Sequence, residues 1–102
     1  MIRHIVMFKF KEEVEGMKKT EIIEKAKIMI EELEKKIESI RFLKVGINSK
    51  EANQDNFDLV LVSDFDTMED LNNYQVHPDH QIVVAFIKKV VESRACVDFE
   101  IQ

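Results

Sequence analysis

Along the 102 residues the spacing of apolar positions changes period several times, and each change marks a structural element. From Ile2 to Lys11 the run "IRHIVMFKFK" is rich in β-branched and aromatic residues and gives way to charge, which predicts a strand. Between about Lys18 and Ser39, Ile22, Ile23, Ala26, Ile30, Leu33 and Ile37 recur at three- and four-residue spacing, the signature of an amphipathic helix of roughly six turns. "RFLKVGINSK" returns to period two, with Leu43, Val45 and Ile47 on one side, and so predicts a second strand. The polar turn "KEANQDN" leads into "FDLVLVSDF", the third strand and the most apolar run of the chain, and the two strands are expected to pair as an antiparallel hairpin. Thr67 stands where a helix N-cap belongs, with Asp70 three residues on, so a short helix is expected from Met68 to about Gln75. Pro78 ends that helix and suits the first turn of the next, which should run to Val91. "RACVDFEI" alternates cleanly and closes the chain as a fourth strand.

The order βαββαβ is that of an α+β, ferredoxin-like domain, a four-stranded antiparallel sheet with helices on one face, and residues 1–102 are expected to form one such domain. A sheet of this kind should show one apolar and one polar face. The first strand is apolar on both, with His4, Val6, Phe8 and Phe10 opposite Ile5 and Met7, and so is the third, with Leu59 and Leu61 opposite Val60 and Val62. So large an uncovered apolar face marks an interface, and a homodimer packed sheet to sheet is expected, through the face bearing Val6, Phe8, Leu59 and Leu61. On the fourth strand the row Arg94, Cys96, Asp98 and Glu100 is expected either to line the margin of that interface or to be an ordinary exposed edge.

Composition narrows the partners. Twenty acidic residues against 15 basic leave a formal net charge of −5, and the lysines are interleaved with glutamates, which argues against nucleic acid as a partner. No apolar segment is long enough to span a membrane and none resembles a signal peptide, so no membrane partner and a cytoplasmic location are expected. The single cysteine, Cys96, has no partner for an internal disulfide and no activating motif in sequence, and reads as a small buried residue.

Candidate chemistry gathers in "YQVHPDHQIV", which holds the only tyrosine, the only proline and two of three histidines. A helix end and a helix start flank Pro78, so Tyr74 and His80 should converge within hydrogen-bond reach at a small pocket. A phenol there would polarise a carbonyl while an imidazole takes an α-proton. The plainer alternative is that the two side chains satisfy each other at a helix junction. His77, held extended before Pro78, reads as structural, and His77, Asp79 and His80 lack the further ligands a closed metal site needs.

The spacing tyrosine, two residues, His-Pro, one residue, His, together with "IRHIVMFKFK", "VGIN" and "RACVDFE", resembles the stress-responsive dimeric α/β-barrel (Dabb) family over nearly the whole chain. The resemblance implies ferredoxin-like subunits paired through their sheets into an α/β barrel. One characterised cyclase of that family performs an aldol-type ring closure of a poly-β-ketone thioester without metal or cofactor, and its catalytic tyrosine and histidine match Tyr74 and His80. A supporting first-strand histidine matches His4, whereas a further pocket histidine falls at Leu59 and its pocket aromatics at aliphatic residues such as Ile22 and Ile23. Two readings result. One is a cofactor-independent enzyme with catalytic residues Tyr74, His80 and His4, acting on a small apolar or carbonyl compound between helices and sheet. The other is a non-catalytic dimeric module with a structural or stress-related role. An open cavity reached by both Tyr74 and His80 would favour the first.

Overall fold

A computed structural model describes all 102 residues. Strand β1 (Ile2–Phe10) is followed by two short strands, β2 (Glu13–Val14) and β3 (Met17–Lys18), then helix α1 (Lys19–Lys36), strands β4 (Phe42–Ile47) and β5 (Leu59–Phe65), helices α2 (Met68–Val76) and α3 (Pro78–Val90), and strand β6 (Val91–Glu100). The main sheet has the order β4-β5-β1-β6 with every neighbouring pair antiparallel, the ferredoxin-like arrangement that the periodicity predicts. The helices lie on one face of it, and α1 buries Ile22, Ala26, Ile30 and Leu33 there. No helix is long and apolar enough to cross a membrane.

The β2–β3 hairpin was not expected, because its charged residues carry no alternating pattern. It forms around Glu15 and Gly16, whose φ angles of 50° and 84° are the two left-handed positions of a type I′ turn. Asp58, buried just before β5, accepts the Phe10 amide at 2.8 Å and faces the Lys19 ammonium at 3.3 Å, so it ties the end of β1 to the start of α1.

The assignment of sheet faces is the reverse of the sequence expectation. Val6, Phe8, Leu59 and Leu61 are all buried against the helices, while the open face carries Ile5, Met7, Val60 and Val62, with Val97 and Phe99 from β6. Bulk decides between two apolar rows. Filling the gap between sheet and helices requires the larger set, to which Phe10 and Phe65 also belong, and the smaller row is left outward. Register carries the reversal into β6. Cα pairing sets Asp98 opposite His4, Cys96 opposite Val6 and Arg94 opposite Phe8, so the polar row lies on the helix side of the sheet and its apolar row on the open side. The polar row therefore does not border the open face. Being an edge strand that the helices do not cover, β6 keeps both rows largely exposed.

Candidate functional site

The site is made by the corner between α2 and α3. Thr67 caps α2 by accepting the Asp70 amide at 3.1 Å, and the helix ends with Tyr74 in its last turn and His77 beyond it. Pro78 has no N–H, and the Asp79 amide donates to the His77 ring Nδ1 at 3.1 Å, so His77 serves as the N-cap of α3, as its place in the sequence suggests. The break leaves the Gln75 carbonyl without a main-chain donor from the next turn. Two side chains supply donors instead, His80 through Nδ1 at 3.0 Å and Gln81 through its amide at 2.6 Å.

That bond defines His80 chemically. With Nδ1–H given to a carbonyl, the neutral ring presents Nε2 as its free lone pair. Burial lowers the His80 pKa, partly opposed by the Gln75 bond and reinforced by the nearby positive charge of Arg94. A base below its ordinary value of 6.5 is neutral at physiological pH. The linkage has a definite sign. Below about 6.5 the unfolded chain takes up a proton at this position before the folded one does, so stability is full above that value and falls as pH drops through it. Thermal melts between pH 5 and 8 should show this acid-side loss, smaller in His80→Gln; an identical profile in that variant would remove the assignment.

Tyr74 is 1% exposed and packs against Phe65 and His80, with ring centroids 5.0 and 4.3 Å away. The expected Tyr74–His80 hydrogen bond is not formed. The two rings pack against each other at a tilt of 44°, with the imidazole drawn back to Gln75, and the buried Tyr74 hydroxyl has no hydrogen-bond partner in the protein. Mutual satisfaction at a helix junction therefore does not describe the pair. Burial raises the phenol pKa, so Tyr74 remains a neutral donor.

His4 enters from β1, 3% exposed, with its ring edge-on to Tyr74 at 6.3 Å. Its Nδ1 pairs with Asp98 Oδ1 on β6 at 2.5 Å, an orienting carboxylate from the far end of the chain. Cys96 corrects a second expectation. It is exposed, and its Sγ lies 3.7 Å from both His4 Nδ1 and Asp98 Oδ1. Although the residue is exposed, partial desolvation of its sulfur and the Asp98 charge push its pKa up, which keeps it protonated rather than nucleophilic. Cys96→Ser is accordingly expected to change stability by no more than about 0.5 kcal/mol, as for other exposed positions, and chemical denaturation checks it.

His4, Cys96 and Asp98 are the three side chains whose donor atoms, all within 4.8 Å of one another, could hold a metal ion. The His4–Asp98 separation of 2.5 Å is that of a direct hydrogen bond, whereas donors about 2.0–2.1 Å from a tetrahedral metal stand roughly 3.3 Å apart. The arrangement fits a hydrogen-bonded pair better than a metal centre.

All three predicted residues, Tyr74, His80 and His4, line one cavity of roughly 330 Å³ between the sheet, α1 and α3. Ten of its 15 lining residues are hydrophobic, which fits a small ligand that is mostly apolar. Arg94 and Lys88 also line it. Sequence reading did not single out Lys88, and it placed Arg94 and Asp98 in the polar row of the fourth strand, at an interface margin or an exposed edge and not at the site; only the register with β1 could settle which face that row takes.

The profile of the Stress responsive A/B Barrel Domain matches residues 2–101. No curated protein matches the chain. Among solved structures, a dimeric protein of unknown function with a ferredoxin-like fold from Bacteroides fragilis NCTC 9343 is 35% identical, with a TM-score of 0.85 over 98% of this chain and 95% of that one. A Dabb family protein from Mesorhizobium loti is 21% identical, with a TM-score of 0.66 over 99% and 96%. A hydroxynitrile lyase from Passiflora edulis is 18% identical, with a TM-score of 0.80 over 99% and 93%, and like the M. loti protein it speaks to the fold alone. With its profile matched from Ile2 to Ile101, the chain belongs to the stress-responsive A/B barrel (Dabb) family.

Proposed function

We propose that residues 1–102 act as one domain that pairs with a second copy through the open sheet face into an α/β barrel, and binds a small carbonyl compound in the helix-side cavity for cofactor-independent acid-base chemistry. The single observation that carries this reading is the buried Tyr74 hydroxyl without a partner, beside a cavity that His80 also lines. A buried donor left unbonded costs about 1–3 kcal/mol, a cost a ligand oxygen would relieve. In this reading a substrate carbonyl accepts from the Tyr74 hydroxyl, His80 Nε2 takes the α-proton, and the enolate oxygen is held by the same phenol. The imidazolium then returns its proton to the product. His4, oriented by Asp98, supports the donor side of the cavity. The name of the Passiflora relative, a hydroxynitrile lyase, supports carbonyl-forming chemistry on this fold, and the B. fragilis relative, described as dimeric, supports the pairing.

Titration of 15N-labelled protein with a short β-keto thioester and with an aliphatic hydroxynitrile tests the reading. Shifts are expected at Gln75, His80, Val83 and Ile87, with none along the outward row Ile5, Met7 and Val60. Shifts confined to the open face, or none with either compound, would overturn it.

A further inference from the structure

Four polar side chains of the cavity gather at one end. Tyr74 and His80 reach it from the corner between α2 and α3, His4 from β1 and Arg94 from β6. Arg94 belongs to the row of β6 on the helix side of the sheet, with Cys96 and Asp98 next along it, and Asp98 pairs with His4. The Cys96 Sγ is 3.7 Å from His4 Nδ1. Partial desolvation and the Asp98 charge raise the Cys96 pKa, and the Arg94 guanidinium, which reaches the same thiol, opposes them. Burial lowers the His80 pKa, and nearby positive charges, Arg94 among them, lower it further. Cys96 on β6 and His80 on α3 both experience the one guanidinium, which places it beside the carbonyl site.

The charge of Arg94 is not answered by the protein. Of the three arginines, Arg3 pairs with Asp64 and Arg41 with Asp66, while Arg94 forms no ion pair. Asp98, on its own row, is taken by His4, and no aspartate or glutamate lines the cavity. Lys88, the other cation of the lining, lies in the last turn of α3, where a positive charge favours the helix dipole without any ligand. The remaining lining is mostly apolar, with Ile30 and Leu33 of α1, Leu61 of β5 and Val83 and Ile87 of α3. A volume of roughly 330 Å³ is near the lower limit for ligand pockets, about 300–1,000 Å³, and accommodates a single short tail.

We infer that the ligand is a 2-oxo acid with a short apolar tail: its carboxylate lies on Arg94, its carbonyl oxygen meets the Tyr74 hydroxyl, and its tail fills the rest of the cavity. The inference rests on the reading of the cavity as a carbonyl site and specifies what stands beside the carbonyl. A guanidinium offers a carboxylate two parallel donors, and those of Arg94 are taken by no carboxylate of the protein. A 2-oxo acid, in which carboxylate and carbonyl are directly joined, presents both to one end of the cavity. The arrangement also suits the reaction. His80 Nε2 removes a proton from C3, the C–H electron pair becomes the C2–C3 double bond, and the carbonyl pair moves to the oxygen held by Tyr74. That oxygen and the carboxylate are then two adjacent anions, whose repulsion the guanidinium offsets. Return of the proton from the imidazolium to C3 restores the oxo acid, so no oxidant or co-reactant is consumed.

The test uses 2-oxooctanoate, 2-octanone, in which a methyl group replaces the carboxylate, and 7-oxooctanoate, in which the carboxylate is at the other end of the chain. Calorimetric titration of the full chain is expected to show 2-oxooctanoate bound roughly tenfold or more tightly than either of the others, as for a charge-assisted pair. Raising ionic strength should erode that preference. Arg94→Gln should abolish it and Arg94→Lys retain part of it; the position is exposed, so both variants should fold. In D2O, proton NMR should show the C3 protons of 2-oxooctanoate exchanging roughly tenfold or more faster with the unaltered protein than with Arg94→Gln. Titration of the His80 ring should show a higher pKa in Arg94→Gln, because a neighbouring positive charge is removed. Equal binding of 2-oxooctanoate and either comparison compound, a preference or exchange rate that survives in Arg94→Gln, or an unmoved His80 titration would overturn the carboxylate site while leaving the carbonyl site in place. Binding of none of the three compounds would overturn both.

Discussion

Tyr74→Phe is expected to melt at or slightly above the temperature of the unaltered protein while losing roughly a hundredfold or more in turnover of a carbonyl substrate. The two halves of the expectation have separate causes. Stability should not suffer, because the hydroxyl removed is buried without a protein hydrogen-bond partner, so no intramolecular hydrogen bond is lost with it. The ring itself, which fills the space between Phe65 and His80, is retained. Turnover should suffer because the phenol is the cavity's neutral donor, kept protonated by its burial. His80→Gln provides the complementary measurement: its amide can still reach the Gln75 carbonyl but has no basic nitrogen, so ligand binding should persist while turnover falls. A Tyr74→Phe protein that melts several degrees lower with unchanged turnover would return the residue to a purely structural role.

A second pair of variants should separate the two apolar faces of the sheet. Leu61→Asp places a carboxylate at a site that is 4% exposed, within the layer between sheet and helices. Losing about 2–3 kcal/mol of apolar burial and adding several more for an unpaired charge should exceed most of a small domain's net stability of roughly 5–15 kcal/mol. That variant is expected to be unfolded. Val97→Asp changes the opposite face, at a position 54% exposed in the isolated subunit. It is expected to leave a folded subunit that sediments as a monomer at micromolar concentration where the unaltered protein sediments as a dimer. A Val97→Asp protein that remains dimeric would place the interface elsewhere.

The sequence expectation assigned the same two faces the wrong way round, and the reason is physical. Alternation identifies faces only where one row is polar, and Val6 beside Met7, or Leu61 beside Val60, offers no such contrast. The helices posed no such difficulty, since Ile22, Ala26, Ile30 and Leu33 recur on one stripe and Pro78 punctuates the corner without ambiguity. At the site, Tyr74 and His80 were legible as a local motif, six positions apart. Asp98 and Cys96 were not, because they meet His4 from more than 90 positions away, through a strand register that no local pattern encodes. The missing Tyr74–His80 hydrogen bond was equally hidden. It depended on an orphaned main-chain carbonyl at Gln75, a group that every residue possesses and composition does not report.

The position of β1 in the sheet has a consequence for the birth of the protein. Its partners are β5 and β6, so Phe8 waits for Leu59 and Ile2 for Glu100. At about 5–20 residues per second of synthesis, β1 leaves the ribosome several seconds before any strand exists to pair with it, and the sheet cannot close until β6 has emerged. Throughout that interval "IRHIVMFKF" is an unpaired apolar strand with high β-propensity, the kind of segment that seeds association between nascent chains. Arg3 and Lys9 interrupt it near each end, placing charge where an incoming strand would begin to pair. In the folded protein they bond to Asp64 and to the 54–56 loop; on the ribosome they would act as gatekeepers.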